Sequence, residues 1–169
     1  MSENRIEGEN IVLVGMPGSG KTTIGKLAAK ALGYDFCDMD DLIEEISGQT
    51  IPELFAVGEP LFRQWETEAC RRLAKFTHTV IAGGGGVVLR AENVALLRQA
   101  GRVLFLNRPI ESIAADIDTT TRPLLAQGVQ RLYVLKQERE ALYRAAGEEI
   151  FNDTSPEETV RRICAILNK

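Results

Sequence analysis

Ile11-Val-Leu-Val14, Gly15-Met-Pro17-Gly18-Ser19-Gly20 and Lys21-Thr22-Thr23 follow one another without a break, and their reading decides the fold. The first four residues are wholly apolar, the pattern of a strand buried on both faces, and residues 21–32 behind them favour helix. Between the two, Gly15 to Thr22 fits the phosphate-binding pattern G-x-x-x-x-G-K-S/T in full. Glycines let successive backbone N–H groups turn inward around a phosphate, and the following helix directs the positive end of its dipole there. Lys21 reaches the outer phosphates and the Thr22 hydroxyl can ligate Mg²⁺. Gly15, Pro17, Gly18, Ser19, Gly20, Lys21, Thr22 and Thr23 are therefore the expected nucleotide-binding residues.

The rest of the chain repeats the strand-then-helix alternation. Short apolar runs at 79–82 and 102–106, with weaker ones at 34–37 and 149–152, supply four more strands. Helical stretches cover 39–47, 51–57, 60–76, 91–99, 109–116, 129–146 and 156–168. The last has Ser155 as N-cap, Pro156 at the first helical position, Glu158 to complete a capping box, and Val160, Ile163, Cys164 and Leu167 on one stripe. Such alternation predicts an α/β three-layer sandwich, a five-stranded parallel sheet flanked by helices.

With 169 residues, no internal repeat and no linker, one domain over 1–169 is expected. The 20 Lys and Arg against 24 Asp and Glu leave a net charge of −4, which argues against a nucleic-acid or anionic-membrane binder. Cys37, Cys70 and Cys164 are odd in number and far apart, so neither a disulfide framework nor a cysteine metal site is expected. Residues 1–10 are polar and carry three Glu, unlike a targeting peptide, and no apolar run is long enough to span a membrane. A cytoplasmic protein is the expectation.

A phosphate loop can serve a switch, a motor or a kinase. The guanine-reading string Asn-Lys-x-Asp and the switch string Asp-x-x-Gly are both missing, and the chain is short for a motor. A small-molecule kinase needs three further parts: a carboxylate supporting Mg²⁺, an acceptor pocket and a water-excluding lid. Asp38 and Asp40 follow the second strand one residue apart, so an extended backbone points both to one side and favours a metal-and-acceptor site. Asp41 is assigned to the cap of the next helix. Arg63 and Glu66 lie one helical turn apart; spacing alone favours a surface ion pair, and the alternative is a guanidinium fixed for an anionic substrate. Gly83-Gly84-Gly85-Gly86 directly follows a strand, and four ordered glycines suit close approach of backbone to a ligand, with a flexible hinge as the competing reading. Residues 116–128 lack helical periodicity and read as a mobile connection, in which Arg122 could swing over a transferring phosphoryl group. Arg144 falls late in a helix, where interaction with the helix C-terminus is the plainer reading. His78 is read as structural.

Taken together, Gly15 to Thr22, Asp38-Met-Asp40, Phe62-Arg63 with Glu66, Gly84-Gly85-Gly86, Arg122-Pro-Leu-Leu125 and Leu142-Tyr143-Arg144 resemble the shikimate kinases, nucleoside-monophosphate-kinase-like P-loop proteins. The elements occur in that family's order, and the similarity runs from about Ile11 to Leu167. The resemblance implies transfer of the γ-phosphoryl group of ATP, with Mg²⁺, to the 3-hydroxyl of shikimate on the way to chorismate and the aromatic amino acids. It implies that Lys21 contacts the phosphates, that Thr22 and Asp38 hold Mg²⁺, and that Asp40 takes ring hydroxyls and the reacting proton. It further implies Arg63 and Arg144 on the shikimate carboxylate, with Glu66 orienting Arg63 and Gly84, Gly85 and Gly86 lining a substrate region at about 38–70. Arg122 would act from a lid at about 116–128, and Pro156 would belong to an adenine-side loop, Asp153-Thr-Ser-Pro156. Lys21, Asp40 and Arg122 are thus the expected catalytic residues. Shikimate is the expected partner, with no nucleic acid, no membrane and a monomer.

Two positions depart from the family's pattern. Gly83 stands where Ser or Thr commonly precedes the three glycines, and Ala114-Ala115-Asp116-Ile117-Asp118 offers no basic residue where members often stack one on adenine. A kinase for another small hydroxy acid, such as gluconate, shares the fold and the loop, but the paired arginines and triple glycine count against it. A catalytically silent nucleotide-dependent binding protein is the second alternative, disfavoured by the retained catalytic residues.

Overall fold

Ile11, Val12, Leu13 and Val14 are completely or almost completely buried, and they form the middle of a five-stranded parallel sheet. The computed structural model describes residues 9–119 and 125–167. Its strands are β1 (Asn10–Val14), β2 (Asp35–Asp38), β3 (Thr79–Ala82), β4 (Gly101–Asn107) and β5 (Glu148–Phe151), in the spatial order β2-β3-β1-β4-β5. The helices are α1 (Lys21–Leu32), α2 (Met39–Ser47), α3 (Ile51–Val57), α4 (Glu59–Arg72), α5 (Ala91–Ala100), α6 (Ile110–Thr119), α7 (Leu125–Ala146) and α8 (Pro156–Leu167).

Alternation along β1 builds two cores. Ile11 and Leu13 pack with Ile24, Ala28, Leu104, Leu106, Ile150 and Ile163 under α1 and α8, whereas Val12 and Val14 pack with Ile43, Leu54, Phe62, Phe105 and Tyr143 under α2 to α7. The expected three-layer sandwich is therefore observed. Asn10 anchors the start of the sheet: its Nδ2 donates to the carbonyls of Phe76 (2.7 Å) and Ala100 (3.0 Å), and its Oδ1 accepts the Thr79 amide.

Register places all the carboxyl ends on one edge. Asp38 pairs with Ala82, Leu13 with Ala82, Val14 with Phe105 and Asn107 with Phe151. The segments that leave these ends, among them 15–20, 83–86 and 152–155, consequently gather along one crevice, where open parallel sheets bind ligands.

Four local expectations are corrected. The cap of α2 is Asp38, not Asp41: Asp38 keeps an extended backbone, and its Oδ1 accepts the Asp40 amide at 2.8 Å. Asp40 therefore sits in the first turn of a helix and not on an extended chain. The stretch expected to be one helix over 60–76 ends at Arg72 and closes with a 3-10 turn, Leu73–Lys75. The connection expected at 116–128 is helical at both ends, because α6 runs on to Thr119 and α7 begins at Leu125. Arg122 lies outside the described residues. At α8 the Glu158 amide donates to Ser155 Oγ (3.1 Å), but the Glu158 carboxylate turns to Arg161 and Arg162, so only half of the capping box forms.

His78 has a left-handed backbone (φ 50°) and meets the Tyr34 ring edge-on at 5.3 Å, a turn-forming residue beside β2. The three cysteines are free, and burial pushes the Cys70 thiol up to about 12 and Cys37 to about 11, away from reactive thiolates. Among the described residues, no helix is long and apolar enough to cross a membrane.

Candidate active site

Hydrogen bonds tie down four carbonyls of the phosphate loop. Lys21 Nζ donates to Gly15 O (2.7 Å) and Met16 O (2.9 Å), and the Ser19 amide also reaches Met16 O (3.0 Å). Arg108, which follows β4, donates to Gly18 O at 3.0 Å and pairs with Asp116 at 2.7 Å. Asn152, which follows β5, donates to Ser19 O at 2.9 Å. Gly20 caps α1 with φ +95°, a left-handed value that other L-residues adopt only with strain. Thr23 is exposed behind it, and Pro156 opens α8 at the carboxyl end of β5.

Two carboxylates stand across from Lys21. Thr22 Oγ1 donates to Asp38 Oδ2 at 3.2 Å, leaving a hydroxyl and a carboxylate together at the mouth of the loop. Hard oxygen donors of this kind suit Mg²⁺, which keeps several waters and takes phosphate oxygens for the rest. No cluster of three or more His, Cys, Asp or Glu able to hold a metal occurs among the described residues. Burial lowers the Lys21 ammonium to about 8 from its ordinary 10.5; Asp40 and Asp38 pull it back up and Arg139 pushes it further down. Asp40 is shifted upward, first by burial and then by the like charge of Asp38, with Lys21 opposing.

The acceptor wall comes from α4 and the glycine loop. Arg63 donates through Nη1 to Glu66 Oε1 (2.8 Å), and its Nη2 lies 3.1 Å from Glu59 Oε2. Glu66 is 1% exposed, so the pair is not the surface decoration that spacing alone suggests. A buried pair of this sort fixes a guanidinium more than it adds stability. Behind it, Arg90 Nη1 reaches Thr67 Oγ1 (3.1 Å), Thr67 donates to Asn93 Oδ1 (2.7 Å), and Asn93 Nδ2 holds Val87 O (3.0 Å), which ties α4 to the glycine loop.

Each glycine of the triplet is wedged against a functional side chain. A Cβ on Gly84 would stand 3.3 Å from Glu66 Oε2 and 3.7 Å from Asp40 Oδ1, and one on Gly85 would meet Pro17 of the phosphate loop. A Cβ on Gly86 would fall 2.6 Å from Arg63 Nη1, with no room to spare. Gly86→Ala is accordingly expected to displace the Arg63 guanidinium and raise KM for the acceptor about tenfold or more, with KM for the nucleotide within twofold; steady-state kinetics against both substrates checks this.

Of the two α7 arginines, Arg139 and not Arg144 turns toward the phosphate loop. Arg144 is half exposed, held at 3.2 Å by both Glu140 and Glu149, with its guanidinium over the Phe105 ring. Tyr143, by contrast, is fully buried and donates to Gly85 O at 2.6 Å, so its face of α7 is the one that looks into the crevice. The residue one turn earlier on that face is Arg139. It lies beside the Tyr143 hydroxyl, acts on the Lys21 ammonium, and has a buried Nε with no hydrogen-bond partner. An i−4 reading from Tyr143 would have found it. Arg90, Arg108 and Asn152 carried no comparable sequence signal.

A phosphate loop facing two carboxylates, with Arg63 and Arg139 on the elements around it, defines a P-loop kinase for a small anionic acceptor. The family model described as shikimate kinase matches residues 17–168. A shikimate kinase of Clostridium botulinum (strain Alaska E43) is 46% identical over 158 residues, covering 93% of this chain and 96% of that one. One from Clostridium beijerinckii is 44% identical over 143 residues, 85% of each. Among solved structures, shikimate kinase from Acinetobacter baumannii in complex with shikimate superposes with a TM-score of 0.84 at 35% identity, over 95% of this chain and 93% of that one. The chain belongs to the shikimate kinase family.

Proposed function

We propose that this chain transfers the γ-phosphoryl group of MgATP to the 3-hydroxyl of shikimate, in the route to chorismate and the aromatic amino acids. The observations that carry the acceptor are Arg63 packed against Gly86 and Arg139 beside Tyr143, whose hydroxyl holds Gly85 O, with Lys21 and Asp40 close by. Two guanidiniums suit one carboxylate, and a carboxylate so held leaves the ring hydroxyls to face Asp40.

In this reading Asp40 hydrogen-bonds the attacking hydroxyl and accepts its proton as the new O–P bond forms and the bond from the γ-phosphorus to the bridging oxygen breaks. Its raised proton affinity favours that role. Lys21 holds the outer phosphate oxygens, and Glu66 keeps Arg63 in register for the carboxylate. Thr22 and Asp38 would hold Mg²⁺, which supplies charge neutralisation at the β- and γ-phosphates. Arg122 is proposed as the lid arginine on those phosphates, and the loop reaching Pro156 as the adenine side. Positioning and electrostatic stabilisation supply most of the acceleration. The enzyme is taken to be a cytoplasmic monomer with a small-molecule partner only; its net charge of −4 gives polyanions no attraction.

Product identification tests the reading. Incubation with MgATP and shikimate should give ADP and one monophosphate ester at C3 in equal amounts by ³¹P NMR; release of free phosphate alone would contradict it.

Lys21 provides a second test. Its free ammonium titrates at about 8, and bound phosphates favour the charged form, so they raise that value. Between the two values the complex holds more protons than the free protein. MgADP binding at pH 8.5 should therefore take up most of one proton, and at pH 6.5 almost none. Calorimetry in buffers of different ionisation enthalpy reads this directly, and equal uptake at both pH values would contradict the assignment.

A further inference from the structure

We infer that Asn152 is a positioning residue for the phosphate loop, turning the Gly20 N–H towards the nucleotide phosphates by holding the Ser19 carbonyl outward. The inference rests on the nucleotide reading of that loop. In a planar trans peptide the C=O of one residue and the N–H of the next point in opposite directions. A donor that fixes the Ser19 carbonyl therefore also aims the Gly20 amide. Asn152 Nδ2 is that donor, at 2.9 Å.

The side chain is itself held on two sides. Its backbone amide donates to Asn107 O at 2.8 Å, which continues the β4–β5 pairing beyond the last strand residue. The Ser19 carbonyl can only accept, so the amide group must present Nδ2 to it and leave Oδ1 for the Thr159 hydroxyl, 2.8 Å away. Thr159 is fully buried in the first turns of α8. The loop approaches closely as well: a Cβ on Gly20 would lie 2.9 Å from Asn152 Nδ2. Sheet edge, α8 and phosphate loop are thus joined through one residue, the first by its backbone amide and the other two by its side chain, 133 residues from the carbonyl it holds. None of these contacts touches the acceptor wall formed by Arg63, Glu66 and Gly84 to Gly86.

Asn152→Leu tests the role, since it nearly preserves volume and adds no charge beside the phosphates. Thr159 can then donate to Ser155 O, 3.2 Å away, so its buried hydroxyl is not orphaned. By calorimetry the Kd of MgADP and the Kd of inorganic triphosphate should each rise about tenfold, while the Kd of shikimate stays within twofold. Thr159→Val, which leaves Asn152 in place without its anchor, should move the same two constants in the same direction by a smaller factor, and it serves if Asn152→Leu fails to fold. Unchanged triphosphate affinity in both variants would overturn the inference. So would a loss confined to MgADP, which would put Asn152 on the base, or an equal loss of shikimate binding, which would make it a general support. Failure of the unaltered protein to bind MgADP and triphosphate would contradict the nucleotide reading itself.

Discussion

Asp40→Asn is expected to lower kcat by about 10²- to 10⁴-fold, with KM for shikimate changed by much less. The amide keeps the size of the side chain and can still hydrogen-bond a ring hydroxyl, but it cannot take the proton. The geometry supports so selective an effect. Asp40 is fixed in the first turn of α2 by the Asp38 cap, close enough to Lys21 for each to shift the other's proton affinity. Because burial and Asp38 raise the Asp40 carboxyl, its deprotonated form is lost on acidification sooner than for an ordinary carboxylate. The unaltered enzyme should therefore show an acid limb in kcat/KM displaced upward from the usual carboxylate range, and the limb should vanish from the residual activity of Asp40→Asn. A variant with turnover within tenfold of the unaltered enzyme would remove Asp40 from the proton transfer.

Arg139→Met should raise KM for shikimate about 30-fold or more, since truncating one member of a desolvated charged contact typically costs about 2–5 kcal/mol. Arg144→Met should leave KM within twofold. The contrast is sharp because the two residues share a helix and a charge but not a face. Five positions along α7 amount to about 140° of rotation, which puts Arg144 among Glu140, Glu149 and Phe105 while Arg139 keeps the side of Tyr143. The reverse outcome, with Arg144→Met impaired and Arg139→Met unaffected, would return the carboxylate to the residue that the Leu142-Tyr143-Arg144 resemblance implied.

Those two arginines also show where the sequence was legible and where it was not. Strands β1, β3 and β4 are continuous apolar runs because both faces of the sheet are covered, and such runs announce themselves locally. The helix bounds follow from equally local signals: Gly33 and Gly48 end α1 and α2 in left-handed conformations, and Thr50 with Glu53 closes a capping box at α3. The phosphate loop is local too, a contiguous motif whose chemistry lies in its own backbone. The Asp38 cap was misread because a carboxylate pair at the end of a strand fits an extended chain and a first helical turn alike. Arg139, Asn152 and Arg108 act through contacts 58 to 133 residues away, or through neighbours that make them, as Tyr143 does at Gly85, Asn152 at Ser19 and Arg108 at Gly18. Nothing in a local pattern encodes such meetings; they exist only once the carboxyl ends of β1, β3, β4 and β5 share an edge. Glu66 illustrates the same limit, since an i,i+3 pair reads identically whether it faces water or a buried crevice.

The proposed function is that of an ATP-dependent kinase for shikimate, made by these converging groups. It is tested most directly by initial rates of ADP release with MgATP against shikimate, gluconate and nucleoside monophosphates in parallel. Saturable, acceptor-dependent turnover is expected with shikimate, and rates at background with the others. Turnover with gluconate or a nucleoside monophosphate in place of shikimate, or no acceptor-dependent turnover at all, would contradict it.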